Sequence, residues 1–203
     1  YNFSKLNNIY FHFMKIIIIT GPSGSGKTSL AKKIKGELEN CHIISTDDFY
    51  KTGKISNLLS KFIESYFDRN ISHNSKLLRK TISKIQKYKE INYSYKYDFI
   101  KKRTEITHKN SLNIDNLIIE GIFTLELLNF FSRNDYLLIR LGIKKEICMK
   151  RVIERDLNER GKNKSKSMDD FIKAWEIYKN KEKSYKIKGK GNELIFRKDP
   201  NIN

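Results

Sequence analysis

Apolar residues are grouped along the chain into short continuous runs, which are typical of strands buried on both faces of a parallel sheet. The run at 15–19 is Lys-Ile-Ile-Ile-Ile, and similar runs begin at Cys41, Asn116 and Tyr136. We predict strands at 15–19, 41–46, 116–121 and 136–141, and a last strand at 193–197. Residues 93–99 are rich in aromatic side chains and are predicted to be extended.

The segments between these runs have the period of amphipathic helices. The clearest is 55–67, where apolar side chains recur at helical spacing: Ile55, Leu58, Leu59, Phe62, Ile63, Tyr66 and Phe67. Further helices are predicted from residue 29, over about 74–89, over 144–158, and from a capping-box pattern at 167–170. In the last of these, Phe171, Trp175 and Tyr178 share one face.

Strands that alternate with helices predict an α/β fold, in which a mostly parallel sheet is covered on both sides to give a three-layer sandwich. Ligands in such sheets bind outside the carboxyl ends of the strands. Three polar segments follow predicted strands: the loop after residue 19, the Asp47–Asp48 pair, and Glu120. They are distant in sequence, and we expect them to meet in the folded chain.

The loop after the first strand fits the pattern G-x-x-x-x-G-K-S/T of a phosphate-binding P-loop. Its residues are Gly21, Pro22, Ser23, Gly24, Ser25, Gly26, Lys27 and Thr28. Strand, glycine-rich loop and helix come in the order that lets backbone N–H groups and a helix N-terminus converge on phosphate oxygens. Lys27 is predicted to reach the β- and γ-phosphates of ATP, and Thr28 to offer its hydroxyl to Mg²⁺. The predicted fold class is therefore a P-loop NTPase.

Length and composition indicate the number of domains and the cellular setting. The 203 residues are 38% hydrophobic, which suits one domain with a modest core, and no apolar run approaches the length of a membrane span. The two cysteines lack disulfide or metal spacing, and the four histidines are scattered, which favours a reducing, cytoplasmic setting.

The net charge of +18 is compatible with nucleic-acid binding. However, the basic residues are spread along the chain, and no nucleic-acid-binding signature is present. We therefore expect a small-molecule substrate, with neither a membrane nor a nucleic acid as partner. The oligomeric state stays open, and a homo-oligomer is one of the alternatives.

The segment at 1–13 matches none of the patterns downstream, and Met14 directly precedes the first predicted strand. We expect 1–13 to be an extension upstream of the natural start, and 14–203 to form a single domain. A secretory signal is not expected, because its cleavage would remove the first strand.

Carboxylates and arginines supply the remaining candidate chemistry. Asp47 or Asp48 could accept the proton of a substrate hydroxyl or help to hold Mg²⁺, and the alternative is a solvated turn or helix cap. Glu120 ends an apolar strand, so it must be paired or bound to metal unless it caps the next helix. Arg151 and Arg155 share a helix face, where a bound polyphosphate would relieve their repulsion; the alternative is ordinary pairing, for example of Arg155 with Glu159.

Several of these segments together resemble the uridine kinase family within the phosphoribulokinase/uridine kinase group of P-loop kinases. The matching elements are 21–28; 45–51 (Ser-Thr-Asp-Asp-Phe-Tyr-Lys); 67–68 (Phe-Asp); 97–99 (Tyr-Asp-Phe); 119–122 (Ile-Glu-Gly-Ile); and 151–161, with Arg151, Arg155, Asp156, Glu159, Arg160 and Gly161. They occur in the family's order and roughly its spacing, over about 15–161. The elements at 97–99 and 151–161 are considerably more specific than the P-loop.

The resemblance implies ATP-dependent phosphorylation of the 5′-hydroxyl of uridine or cytidine, in pyrimidine salvage. It implies that Lys27, Asp47, Arg155 and Arg160 are catalytic, with Asp47 as the base that orients the hydroxyl. It also implies that Thr28, Asp47 and Glu120 serve Mg²⁺, and that Arg151, with the P-loop, contacts ATP. A small arginine-bearing lid at about 151–166 would close over the phosphates.

For the acceptor, the resemblance implies that Asp68 contacts the ribose hydroxyls and that Tyr97 and Phe99 contact the nucleobase. It also implies that further acceptor contacts come from Asp47, Tyr50, Lys102 and Arg103. The sequence departs from the family here, because Lys101-Lys102-Arg103 stands where a histidine and an arginine are usual. Arg69-Asn70 likewise replaces histidine-proline. The alternatives are a kinase like those for nicotinamide riboside or ribulose phosphate, and a non-catalytic P-loop protein that binds nucleotide or RNA.

Overall fold

A five-stranded parallel sheet runs through the molecule, as the alternation of strands and helices predicts. The computed structural model describes residues 14–132, 134–185 and 193–196; the segment 1–13 and Arg197 lie outside them. The strands are β1 (Lys15–Thr20), β2 (Cys41–Ser45), β3 (Ile91–Asp98), β4 (Arg103–Ser111), β5 (Asn116–Glu120), β6 (Tyr136–Leu141) and β7 (Glu193–Phe196). The sheet order is β2-β5-β1-β6-β7, and each of its pairings is parallel.

Helices cover both faces of this sheet. They are α1 (Lys27–Gly36), α2 (Lys54–Phe62), α3 (Ser75–Tyr88), α4 (Lys145–Glu159) and α5 (Lys164–Ser184). Shorter 3₁₀ turns lie at Thr46–Phe49, Tyr66–Asp68, Asn70–Ser72 and Thr124–Phe130. The expected lid segment, 151–166, spans the end of α4, the connection and the first turn of α5.

Alternate residues of β1 point into two separate cores. Ile16 and Ile18 pack with Ile82 and other apolar residues of α3 on one face of the sheet. Ile17 and Ile19 pack on the opposite face with side chains from α1, α4 and α5. This alternation follows from the two-residue period of a strand, and it produces the three predicted layers.

Two predicted helix boundaries are wrong. The helix predicted over 55–67 ends at Phe62, and it leaves Ile55 (77%), Leu58 (55%) and Phe62 (79%) exposed. The chain turns at Ser65, whose φ is 51°, and this turn directs Tyr66 towards the interior instead.

The other error is at the start of α5. Asn163 caps this helix, since its side chain accepts a 2.8 Å hydrogen bond from the N–H of Lys166. Ser167, predicted as the cap, lies buried inside the helix. Phe171 and Tyr178 are buried on the shared face that the sequence predicts.

A long β-hairpin follows α3 and is separate from the main sheet. Its first strand, β3, was expected from the aromatic segment at 93–99, whereas no pattern in the sequence predicted β4. The two strands pair antiparallel, with Tyr97 opposite Thr104. The hairpin places Tyr97 and Phe99 next to the turn that follows β2.

Candidate active site

The P-loop after β1 has a backbone shape that depends on glycine. Gly24 and Gly26 have φ values of 78° and 88°, in the left-handed region that side chains disfavour. A Cβ at Gly24 would collide with the backbone carbonyl of Cys148 in α4. Gly26 precedes the first residue of α1, so the loop leads directly into the positive end of that helix.

Two side chains of this loop fit a bound polyphosphate. The Ser25 side chain is fully buried beside Gly21, and its Oγ has no hydrogen-bond partner among the described residues. Lys27 is also buried, and its Nζ donates to the carbonyl of Pro22 at 2.9 Å. Burial lowers the pKa of Lys27, while Glu120 and Asp47 oppose that shift. A buried hydroxyl and a buried ammonium without full pairing are the donors that phosphate oxygens would satisfy.

Glu120 joins the P-loop to the neighbouring strand ends. In the sheet, it lies between Ile19 of β1 and Ser45 of β2. The hydroxyl of Thr28 donates to Glu120 Oε1 at 3.2 Å. Burial and the nearby Asp47 raise the pKa of Glu120, and Lys27 partly offsets that shift. Two carboxylates and a hydroxyl are the hard oxygen donors that suit Mg²⁺.

A cavity of about 500 Å³ opens beside these groups. Eight residues expected to contact substrate, ATP or metal lie on its lining: Ser23, Asp47, Tyr50, Asp68, Phe99, Lys102, Arg155 and Arg160. They come from five different segments of the chain, which only the fold brings together.

Other expected site residues lie at the margin of this cavity or away from it. Tyr97 is buried behind Tyr50, with ring centroids 4.9 Å apart. Arg151 donates to the carbonyl of Gly24 at 3.4 Å and so lies against the P-loop. The guanidinium of Arg103 pairs with Glu105 on the hairpin, and Arg103 is not on the cavity lining.

Aromatic rings form one wall of the cavity. Tyr50 is at its centre, and the rings of Phe67, Tyr97, Phe99 and Phe123 surround it at centroid distances between 4.9 and 5.7 Å. The Arg160 guanidinium lies 3.9 Å from the centroid of Phe99. Such a wall can stack against a planar group of an acceptor.

Asp68 is held in place by residues that the sequence did not single out. Lys181, from α5, donates to the Asp68 carbonyl at 3.1 Å and to Glu126 Oε1 at 3.4 Å. Burial, with the neighbouring charge of Asp47, raises the pKa of the Asp68 carboxyl to about 6. Lys181 lies fourteen positions past the predicted cap, Ser167, and belongs to no motif, so only the fold reveals this contact.

Asp156 and Lys162 were also missed as site residues. Asp156 belongs to the 151–161 segment, but its spacing gives no sign that it is buried. The guanidinium of Arg155 pairs with Asp156 at 3.0 Å, so the pairing alternative considered for Arg155 involves this aspartate.

A parallel α/β sheet, a glycine-shaped P-loop and a cavity with carboxylates and arginines beside it define a P-loop kinase. The sequence profile of the Phosphoribulokinase / Uridine kinase family matches residues 16–185, and the chain belongs to that family.

Curated relatives and solved structures agree with this assignment. The chain is 30% identical to the uridine kinase of Borrelia duttonii (strain Ly) over 79% of its own length and 76% of the relative. It is also 30% identical to the uridine kinase of Ureaplasma parvum serovar 3 (strain ATCC 27815), over 79% and 75% of the two chains.

In fold, the chain is similar to a Bacillus stearothermophilus protein described as a possible uridine kinase, with a TM-score of 0.63, 16% identity and coverage of 95% and 94%. It is also similar to D-glycerate 3-kinase from Cryptococcus neoformans, with a TM-score of 0.62, 14% identity and coverage of 95% and 89%. At these identities the likeness concerns the fold alone.

The chain is thus a kinase of a family that uses ATP and Mg²⁺. Within the described residues, no helix is both long and apolar enough to cross a membrane. The same residues contain no group of three or more His, Cys, Asp or Glu side chains that could hold a metal ion. Thr28, Asp47 and Glu120 offer one hydroxyl and two carboxylates, and so would supply only part of a Mg²⁺ shell, which is usual where phosphates and water complete it.

Proposed function

We propose that this protein transfers the γ-phosphoryl group of ATP to the 5′-hydroxyl of uridine or cytidine. The observation that carries the proposal is the cavity in which Asp47, Asp68 and an aromatic wall lie beside the P-loop. A nucleoside has a hydroxyl to activate, a diol to hold and a planar base to stack, and these three groups match the three features. The similarity to two uridine kinases supports the same acceptor.

Each acceptor group has a candidate partner. Asp47 accepts the proton of the 5′-hydroxyl and orients that oxygen towards the phosphoryl group. Asp68 accepts hydrogen bonds from the ribose hydroxyls, and Phe99 stacks on the base, with Tyr50 and Tyr97 behind it. Lys102 lies on the cavity lining where it can contact the acceptor.

The phosphate side is formed by the P-loop and α4. Backbone N–H groups of the loop and the ammonium of Lys27 bind phosphate oxygens, while Arg155 and Arg160 balance the charge that spreads over the moving group. Thr28, Asp47 and Glu120 would hold Mg²⁺, which supplies further neutralisation of phosphate charge. We propose that 151–166 acts as the lid that excludes water, and that the enzyme works in the cytoplasm.

The test is ADP release from Mg-ATP with a panel of acceptors: uridine, cytidine, adenosine, nicotinamide riboside, ribulose 5-phosphate and pantothenate. We expect turnover with uridine and cytidine, and its loss in the Lys27→Ala variant, with the fold checked by circular dichroism. Turnover with another acceptor alone would reject the pyrimidine assignment and make Lys102 the first residue to examine.

The non-catalytic alternative gives a different result in the same assay. A P-loop protein that binds RNA through its basic surface would release no ADP with any acceptor, and its RNA affinity would fall steeply with salt. Unchanged turnover in Lys27→Ala would contradict the P-loop mechanism itself.

A further inference from the structure

Asp156 is a buried carboxylate at which three basic residues and two helices meet. Its side chain is 2% exposed. Arg155 donates to Asp156 Oδ1 through Nε and a terminal nitrogen, at 3.2 and 3.0 Å. Arg160 lies 3.5 Å from the same oxygen, and Lys162 Nζ lies 3.1 Å from Oδ2. The hydroxyl of Ser167, in α5, donates to Oδ2 at 3.3 Å.

The backbone of the same residue closes the connection between the two helices. The N–H groups of Arg160 and Lys162 both donate to the carbonyl of Asp156, at 3.2 and 3.1 Å. Asp156 therefore holds the end of α4, the connecting loop and the first turn of α5 in one arrangement.

All three cations that surround Asp156 also line the cavity described above. Arg155 and Arg160 both contact Oδ1 of the carboxylate, and Lys162 has a second partner in Asp170, at 2.8 Å. Without a central anion, three neighbouring cations would repel one another and spread into several rotamers. The carboxylate itself faces these groups and Ser167, so it is available to orient them and does not need to touch a substrate.

The charge state of Asp156 is consistent with this arrangement. Burial alone would raise the pKa of its carboxyl, but Arg155, Arg160 and Lys162 outweigh burial and keep that pKa below its usual value. The group is therefore an anion at neutral pH, as a buried ion that is paired several times can be.

We propose that Asp156 is a positioning residue, which holds Arg155, Arg160 and Lys162 in the orientation that binds the polyphosphate of ATP in this cavity. The inference deepens the proposed function, since it assigns the group that orders the cations of the same site. It does not depend on which acceptor the enzyme uses.

The sign of one binding change separates positioning from simple neutralisation. If Asp156 only cancels charge, its removal makes the cavity more positive and tightens the binding of a polyanion. If it orients the cations, its removal lets them disperse and weakens binding, despite the extra positive charge. The probe is inorganic tripolyphosphate, titrated calorimetrically into the full-length protein with no acceptor present.

We expect Asp156→Asn to bind tripolyphosphate about tenfold more weakly, as when a group that orients the ligands of a site is lost. Ser167→Ala keeps every charge but removes one anchor of the carboxylate, and it should weaken binding by about threefold. The matched control is Glu182→Gln, which removes a negative charge from α5 where it pairs with Arg140 and Lys179, away from the cavity lining. Its binding should be unchanged or tighter.

Unchanged or tighter binding in a folded Asp156→Asn protein would overturn the proposal. Circular dichroism and thermal unfolding establish whether the variant is folded. If it is not, unchanged binding in Ser167→Ala is the result that rejects positioning. Because no acceptor is present, the outcome is separate from that of the ADP-release panel: tripolyphosphate binding can respond as expected even if uridine is not a substrate.

Discussion

Asp47 and Asp48 are adjacent in the chain, yet their carboxylates have different surroundings. Asp47 lines the cavity beside Glu120 and Lys27, whereas Asp48 accepts a 3.1 Å hydrogen bond from the N–H of Tyr97 in the hairpin. The 3₁₀ turn that carries them separates consecutive side chains by about 120°. The sequence alone left the choice between these two aspartates open.

This difference supports a paired substitution. Asp47→Asn should lower kcat by about 10²–10⁴-fold, because the amide cannot accept the proton of the acceptor hydroxyl. The affinity for ATP should change by less than about threefold, because the base acts on the acceptor. Steady-state kinetics and ATP titration measure the two quantities.

Asp48→Asn is the matched control, and its kcat should be much less affected than that of Asp47→Asn. An equal loss of turnover and ATP affinity in Asp47→Asn would instead indicate that Asp47 acts mainly in metal binding or structure and is not the base.

The carboxyl of Asp68 predicts how acceptor binding depends on pH. Burial raises its pKa from 3.8 to about 6, so the group gains a proton as the pH falls through 6. The neutral form accepts hydrogen bonds from ribose hydroxyls less well, so the acceptor KM should rise about tenfold per pH unit below that value. Initial rates at saturating ATP between pH 5 and about 8 test this.

Asp68→Asn should have a higher KM that no longer varies with pH in this range. Asp48, whose pKa burial also raises to about 6, provides the control. Asp48→Asn should keep the pH dependence, because Asp48 faces the hairpin. A pH dependence that disappears in Asp48→Asn and persists in Asp68→Asn would refute the assignment.

The same shift has a consequence for stability, with a definite sign. The folded state binds the Asp68 proton more tightly than the unfolded state, because the folded pKa is the higher one. This group therefore contributes stability that is present in acid and is lost as the pH rises from about 4 to about 6. At neutral pH, ionised Asp68 therefore lowers the free energy of unfolding.

Residues of the P-loop could be predicted because phosphate binding requires glycine, lysine and threonine at that fixed spacing. Asp156 could not, since an aspartate beside arginines on a helix is ordinary in sequence. Its importance depends on its burial and on the hydrogen bond from Ser167, which lies in another helix. A residue whose role is to orient others has no pattern of its own.

At the scale of elements, the strands and α3 were predictable because each buries a continuous or periodic apolar surface. β4 was missed because most of its side chains are exposed, so no alternation marks it. β4 is stabilised by its pairing with β3. β3 is stabilised in turn because its Tyr97 packs against Tyr50. For α2 the error is the opposite one. Its apolar side chains recur at clear helical spacing, but most of them are not buried.

The close contact of the P-loop with α4 predicts that these elements depend on each other. A methyl group at Gly24 would meet the Cys148 carbonyl and lie 3.0 Å from Val152, at a φ that disfavours alanine. Gly24→Ala should therefore destabilise the protein by about 1–3 kcal/mol. It should also weaken ATP binding by at least about tenfold, because α4 carries Arg151 and Arg155.

Gly36→Ala is the control, since a Cβ at Gly36 meets nothing within 4 Å. Because Gly36 is the last residue of α1, Gly36→Ala should leave ATP binding unchanged and change the free energy of unfolding by less than about 1 kcal/mol. Urea unfolding and ATP titration measure both variants. Wild-type ATP affinity in Gly24→Ala would show that the loop and α4 are independent.

For the whole molecule, the order of strands in the sheet determines what meets at the site. β5 lies between β2 and β1, so Glu120 is adjacent to the ends of both strands. The sequence predicted the layers and the shared edge, because parallel strands place their carboxyl ends together. It could not predict the path of 46–111, where long-range contacts among aromatic rings, and not local periodicity, determine the shape.

That path separates the two halves of the reaction along the chain. The cavity residues proposed to contact the acceptor, from Asp47 to Lys102, all lie between β2 and β5. The P-loop, Glu120 and the arginines of α4 lie outside that interval. One continuous stretch of the gene therefore encodes the choice of acceptor. Evolution could replace or reshape that stretch and leave the segments that bind phosphate unchanged.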